Sequence, residues 1–234
     1  MSEWAAKRFW TDVSVVEDGD GFGIRLDGRS VKTPAKSALI VPSREMAEAV
    51  AAEWDVVDEK IDPEVMPFTR SANAAIDKVS VQFDAVAEML AAYGGSDLLC
   101  YRADTPTELV DRQRAGWDPL LAWAEDTFGA RLVPTEGIMP IEQDSQAISA
   151  VRAPLFAATA FELTALHDLI ALSGSLVLGL AVTQRQLSAQ AAWDLSRVDE
   201  NWQIEQWGED EDARQAVEIK RSAFFHAEKF YRMA

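Results

Sequence analysis

Only two histidines are present, and one of them, His167, stands directly before a carboxylate, Asp168. An imidazole oriented by a carboxylate is the arrangement of a general base, so this pair is where a hydrolase or transferase reaction would sit. Its neighbours Leu166, Leu169 and Ile170 favour a hydrogen-bonded core histidine instead. Neither His167 nor His226 belongs to the His-Glu-x-x-His or His-x-His spacing that binds zinc. Cys100, the only cysteine, lies between Leu98-Leu99 and Tyr101 with no base partner, and Arg102 is the sole nearby cation. A reactive thiolate needs more than that, so Cys100 is expected to be a buried structural thiol. Gly19-Asp-Gly-Phe-Gly23 has the glycine density of a phosphate loop. Such a loop must open a helix whose first amides face the phosphate. A strand pattern follows here, so the hairpin reading prevails. The same stretch lacks the spacing of a calcium loop. No Gly-x-Ser-x-Gly elbow and no Walker loop occurs. No catalytic residue, metal or cofactor is expected.

A different kind of chemistry is concentrated near the C-terminus. From Asp199 to Asp212 the chain reads Asp-Glu-Asn-Trp-Gln-Ile-Glu-Gln-Trp-Gly-Glu-Asp-Glu-Asp, with seven carboxylates, no base and two interleaved tryptophans. Carboxylates in the first turn of a last helix are stabilised by its dipole, which explains part of this without any function. The other reading is a docking surface: aromatic anchors rimmed by carboxylates suit a basic or arginine-rich partner. The residues alone leave both open.

The elements that would position these groups fall into two regions. Val13 and Val15, then Phe22, Ile24 and Leu26, alternate with polar residues as half-buried strands do. Glu17–Gly21 and Asp27-Gly28 supply turns, Ser30–Thr33 is a short strand stopped by Pro34, and Leu39–Val41 is another. Ser43 is a good N-cap for a helix whose Met46, Ala49, Val50 and Trp54 share one face. Ile61 to Pro67 reads as an extended linker because residues before proline are held out of the helical region. The expected boundary lies near Phe68, giving a β-rich domain over 1–68 and a helical domain over 69–234.

Beyond it, Ile76, Val79, Phe83, Val86, Leu90 and Tyr93 predict one helix ending at Gly94-Gly95. Thr105-Pro-Thr-Glu108 has the form of a capping box, and Asp118-Pro119 looks like a fresh helix start. Arg131 to Ile141 is expected to be extended. Helices are then expected over about 158–172, 175–184, 188–206 and 209–232. The fold class is therefore α+β, a small β-rich N-terminal domain followed by a larger, mainly α-helical one.

Composition sets the remaining limits. The net charge of −17, from 39 acidic and 22 basic residues, argues against nucleic acid and anionic membrane surfaces as partners. The longest uncharged apolar stretch, Leu169–Gln184, falls short of the ~20 residues of a membrane span, so a buried helix is expected there. Met1 to Trp10 shows neither a signal core nor an Arg-rich transit segment. Eight tryptophans are many for 234 residues, so several are expected at a contact surface rather than all in the core.

These residues carry a resemblance. Lys7-Arg-Phe-Trp10, Leu26-Asp-Gly-Arg29 with Lys32-Thr-Pro34, Glu53-Trp54 and Met66-Pro-Phe-Thr69 come first. Asp97-Leu-Leu-Cys-Tyr-Arg102, Gln113 with Trp117-Asp-Pro119, Ser173-Gly-Ser175 and Trp207-Gly-Glu-Asp210 complete an ordered set along nearly the whole chain. Each is weak alone; in this order they resemble the F1 ATP synthase alpha-subunit assembly chaperones of mitochondria and some bacteria. The resemblance implies a two-domain protein without catalysis that shields the free alpha subunit until a beta subunit replaces it. It also implies that Glu200, Trp202, Gln203, Glu205, Trp207, Glu209 and Asp210 bind this partner. A free monomer is expected, in the cytoplasm of a bacterium or in the mitochondrial matrix of a eukaryote. The rival expectations are an enzyme using His167 with Asp168 and a general acidic scaffold with several partners.

Overall fold

The computed structural model describes residues 7–137, 139 and 141–234. The Met1–Ala6 part of the N-terminal segment, and Ile138 and Pro140 of the expected extended stretch, lie outside the described residues. The fold is α+β, and its residues group into two compact units.

The first unit holds residues 7–83 together with 159–165 and 229–234. Strands β1 (Val13–Asp18) and β2 (Gly21–Leu26) form an antiparallel hairpin with Val13 opposite Leu26 and Asp18 opposite Gly21. On its other edge β2 pairs with β3 (Arg29–Ser30) and β4 (Ile40–Val41). The β2–β3 turn sets both central residues at positive φ, Asp27 at 48° and Gly28 at 76°, the geometry a two-residue hairpin requires. Asp27 is held there by accepting from the Thr11 and Asp12 amides at 3.0 and 2.9 Å, which lowers its pKa.

Helix α1 (Arg44–Asp55) starts at the expected cap, the Ser43 hydroxyl accepting from the Met46 amide at 3.2 Å. Its Met46, Ala47 and Val50 join Trp10, Ile24, Leu26, Leu39, Val41, Met66 and Phe230 in the core. The expected linker is instead a short tight turn at Pro63–Val65. Asp62 before Pro63 keeps the extended backbone demanded of it, φ −117° and ψ 103°, while its carboxylate accepts from the Glu64 amide and starts the turn. Helix α2 (Pro67–Ala74) follows. Its first amides are met by Glu53 of α1, whose carboxylate accepts from Phe68 N, Thr69 N and Thr69 Oγ1 at 2.7, 2.8 and 2.7 Å.

The single helix expected over Ile76–Tyr93 is broken. A π-turn occupies Ala75–Val79, helix α3 spans Phe83–Ala91, and a 3₁₀ segment covers Ala92–Ser96. One local bond and one long-range attachment compete with a continuous ladder. Ser80 Oγ donates to the Ile76 carbonyl at 2.6 Å, and Asp77 turns to accept from Thr33 Oγ1 and Ala35 N at 2.6 and 2.9 Å.

The second unit holds residues 84–158 and 166–228. Strand β5 (Tyr101–Arg102) leads to helix α4 (Thr107–Phe128), and β6 (Thr135–Glu136) pairs in parallel with β5 in a separate two-stranded sheet. No capping box forms. Pro106 itself occupies the N-cap position, so no side chain caps the helix, and Thr105 faces Asp104 instead. Pro119 does not restart the helix either. It lies inside α4 on an exposed face, where water can satisfy the carbonyl one turn earlier.

Helix α5 (Ser145–Ala157), which contains Pro154, occupies a stretch for which no element was expected, and it buries Ala147, Val151 and Leu155. Helices α6 (Ala160–Ser173), α7 (Leu176–Thr183) and α8 (Ala189–Ser196) follow, then α9 (Val198–Trp207) and α10 (Glu211–Met233). The helix expected over 188–206 is thus two, because Arg197 leaves helical geometry at φ −120° and Ser196 Oγ takes the Trp193 carbonyl at 2.7 Å. Every residue of α7 is buried, and no described helix is long and apolar enough to cross a membrane.

Trp117, Leu99, Leu120, Leu169, Val177, Leu178, Trp193 and Phe224 form the core of this unit. Cys100 is fully buried in it, and loss of solvation pushes its thiol up to about 12, which confirms the structural reading. Beside it Asp97, also fully buried, accepts from Ser175 Oγ at 2.7 Å and from the Leu99 and Val177 amides at 3.0 Å each.

Candidate partner-binding surface

Helix α4 is the platform for the acidic–aromatic segment. Its buried Trp117 donates Nε1–H to the Leu195 carbonyl at 2.9 Å, fixing the end of α8. One turn earlier Gln113 accepts from the Ala103 amide at 2.9 Å and donates to Asp199 Oδ1 at 2.6 Å, fixing the start of α9. Gly116 lies between them, and a Cβ there would come within 2.6 Å of a Leu195 methyl, so α4 and the α8–α9 connection approach at glycine distance.

Arg112 adds a third attachment on the outer side. Its guanidinium donates to Glu205 Oε1 at 2.7 Å and lies 4.7 Å from the centre of the Trp202 ring. The pairing lowers the pKa of Glu205 and raises that of Arg112, the hydrogen bond being the main cause of each shift.

The seven residues expected to bind a partner, and their neighbours Asp199 and Glu211, therefore differ in what they already do. Asp199 is spent on Gln113, and Glu200 lies 3.7 Å from Arg197. Trp202 is half-buried under Arg112, and Glu205 is its ion partner. Asp210 accepts from the Ala213 amide at 3.1 Å and so caps α10, as the structural explanation of the acidic turn required. Glu211 pairs with Arg214 at 2.5 Å, and Glu209 acts on the same guanidinium through space. Gln203, Trp207 and Glu209 are exposed, and Trp207 shows 78% of its surface to solvent. Gly208, at φ 88°, ends α9 directly after that indole and lets the chain turn into α10.

Arg112, Arg197 and Arg214 are cationic neighbours that the sequence reading did not single out, although Arg197 and Arg214 stand three positions from Glu200 and Glu211. Arg112 is separated from Glu205 by 93 positions, and no local pattern marks such a pair. Together the three arginines convert a segment with no base in its own sequence into one already partly neutralised.

His167 is not the expected core residue. Leu166, Leu169 and Ile170 are buried, but His167 and Asp168 occupy the outer side of α6 with 45% and 44% of their side chains exposed. Nδ1 lies 2.9 Å from Asp168 Oδ1, and that hydrogen bond raises the imidazole pKa. Among the described residues no group of three or more His, Cys, Asp or Glu side chains is placed to hold a metal ion.

Residues 7–125, just over half of the chain, match the family model of the ATP12 chaperone protein. The chain belongs to the ATP12 chaperone family. It is 24% identical to the mitochondrial protein atp12 of Schizosaccharomyces pombe over 222 residues, 89% of this chain and 76% of that one. A crystal structure of Atp12 from Paracoccus denitrificans is similar at a TM-score of 0.94 and 47% identity, covering 97% of this chain and 98% of that one. An aspartate-to-lysine mutant of P. denitrificans Atp12p is similar at a TM-score of 0.95 and 47% identity over 99% of both chains. A candidate chaperone from Agrobacterium tumefaciens has a TM-score of 0.92 at 41% identity, with 97% and 85% covered. ATP12 membership makes this a chaperone of ATP synthase assembly, which is not an enzyme class.

The ATP12 motifs now have structural reasons. Glu53 meets Phe68 and Thr69, Thr33 meets Asp77, and Asp97 meets Ser175. Arg102 meets Asp118 at 2.7 Å, and Gln113 meets Asp199. These motifs meet one another or nearby polar groups inside the fold. Trp207 and Glu209 stand outside that network.

Proposed function

We propose that this chain holds the unassembled alpha subunit of F1 ATP synthase, keeps it from aggregating, and yields it to the beta subunit without catalysing a reaction. The observation that supports this most is the exposed Trp207, an indole left in solvent at the end of α9 beside Glu209 and the cap of α10. An orphan subunit exposes a surface that assembly will bury, and such apolar patches aggregate unless covered. Trp207 covers apolar area, and the surrounding carboxylates take cationic groups at its rim. A partly polar surface of this kind suits a partner that must later leave. The working compartment is the bacterial cytoplasm, or the mitochondrial matrix for a eukaryotic source.

The test is co-expression of the chain with its cognate F1 alpha subunit, without beta, followed by size-exclusion chromatography. Soluble alpha should appear only with the chaperone, co-elute with it, and leave when beta is added. Alpha that behaves alike with and without the chain overturns the proposal, as does equal capture of unrelated basic proteins.

A further inference from the structure

Arg112 already makes the contacts that a client cation would make. Its guanidinium reads Trp202 through the ring face, 4.7 Å from the centre, and Glu205 through a 2.7 Å hydrogen bond. The charged partners are 46% and 49% exposed, so the arrangement opens to solvent. It is not needed to fasten α9, because Gln113 with Asp199 and Trp117 with the Leu195 carbonyl hold the same junction from the buried side of α4. Exposed ion pairs of this type contribute little to folding.

We propose that Trp202 and Glu205 form a guanidinium-binding site that Arg112 fills in the free chaperone and from which an arginine of the client displaces it. The ligand class follows from the occupant. A planar guanidinium can lie over an indole and still direct N–H groups at a carboxylate, whereas an ammonium is a point charge with a tight water shell. The internal arginine keeps a carboxylate–indole pair from adhering to every passing arginine, and only a client that also engages neighbouring surface gains enough to replace it. Its return to the site assists release. The inference rests on the reading that this surface receives the client, and it deepens that reading by naming the group received.

Two measurements test it, and the first uses no client. The ¹⁵N–¹H signal of the Trp202 indole is followed while N-acetyl-arginine amide is added to wild type and to Arg112→Gln. The Trp202 signal should move in the variant at a concentration several-fold lower than in wild type. N-acetyl-citrulline amide, the neutral analogue, should leave it in place, and adding Glu205→Gln to the variant should abolish the response. No movement in Arg112→Gln, or equal movement with arginine and citrulline, overturns the site.

In the second measurement, Arg112→Gln should bind the F1 alpha subunit roughly threefold to tenfold more tightly than wild type, because an exposed ion pair and cation–π contact need no longer be broken. Weaker or unchanged binding overturns displacement, weaker binding showing that Arg112 positions α9 instead. Arg112→Lys, which keeps the charge and loses the plane, should fall between the two. If wild type does not hold the alpha subunit at all, the proposed function fails, while the arginine titration still decides whether the guanidinium site exists.

Discussion

Replacing Trp207 by alanine removes an indole whose surface is 78% exposed, and that number sets the expected sizes of two separate effects. A fully buried tryptophan removes ~150–250 Å² from water, worth ~25 cal/mol per Å². About a fifth of that is already realised in the folded chain, so the loss in folding stability should stay under about 1.5 kcal/mol. The exposed remainder corresponds to about 3–5 kcal/mol if a partner covers it completely. Ordering the side chain and desolvating its polar surroundings offset part of this gain, leaving about 2–3 kcal/mol. The dissociation constant for the alpha subunit should therefore rise roughly 30- to 150-fold. Calorimetric titration of purified alpha subunit into wild type and variant reads the binding term, and urea unfolding followed by circular dichroism reads the folding term. Trp207→Phe, which retains a ring, should recover much of the affinity. An unchanged dissociation constant in a folded Trp207→Ala chain would refute the assignment of the α9 end to the partner. A stability loss as large as the binding loss would refute the separation and make Trp207 a structural residue.

Four further substitutions probe the scaffold and the rim. Asp97→Asn puts an amide donor against the Val177 N–H, so about 2–4 kcal/mol of stability should be lost. Burial raises the Asp97 pKa above its unfolded value, so its contribution to stability is fullest below ~3.9 and declines as pH rises through the folded pKa. The gap between wild type and Asp97→Asn in urea titrations should accordingly narrow from acid toward neutral pH, and a widening gap would show that hydrogen bonds to the carboxylate outweigh its burial. Glu53→Ala strips three hydrogen bonds from the start of α2 and should cost about 2–3 kcal/mol, read as a lower urea midpoint. Asp210→Lys removes the cap of α10 and should weaken both folding, by about 1 kcal/mol, and client binding, whereas Glu209→Lys should weaken binding alone. Equal thermal midpoints for those two variants would contradict the capping role.

Much of the first unit was legible because its signals are local. The β1–β2 hairpin follows from alternation and a glycine turn, and Ser43 caps α1 because a hydroxyl three residues before an amide can satisfy it. Several failures share a physical cause, which is tertiary bonding overriding local chemistry. Apolar spacing from Ile76 to Tyr93 fits one helix, but Asp77 is drawn out of register by Thr33 and Ala35, some forty positions away. Proline at 119 normally signals a break, yet its exposed face tolerates the lost hydrogen bond while Trp117 and Leu120 anchor both flanks in the core. The segments 159–165 and 229–234 join the first unit through Ala165 and Phe230, and no pattern within either segment tells which core it serves.

The candidate site shows the same division more sharply. Residue types from Asp199 to Asp212 mark an acidic–aromatic surface, but charge counted along a chain is not charge arranged in space. Arg112, Arg197 and Arg214 bring cations to Glu205, Glu200 and Glu211, so the number of carboxylates overstates the negative field a partner would meet. The ordered motifs that identify the family are largely consumed inside the fold, Gln113 on Asp199 and Asp97 on Ser175 being typical. A residue already committed to an intramolecular bond must give that bond up before it can serve a partner. The side chains least committed, Trp207 and Gln203, incur no such cost, Glu209 gives up only a through-space attraction to Arg214, and Glu205 can serve only by exchanging one guanidinium for another. Charge reversal at Glu205 thus disturbs an internal contact as well as any external one, an ambiguity from which Trp207 and Gln203 are free.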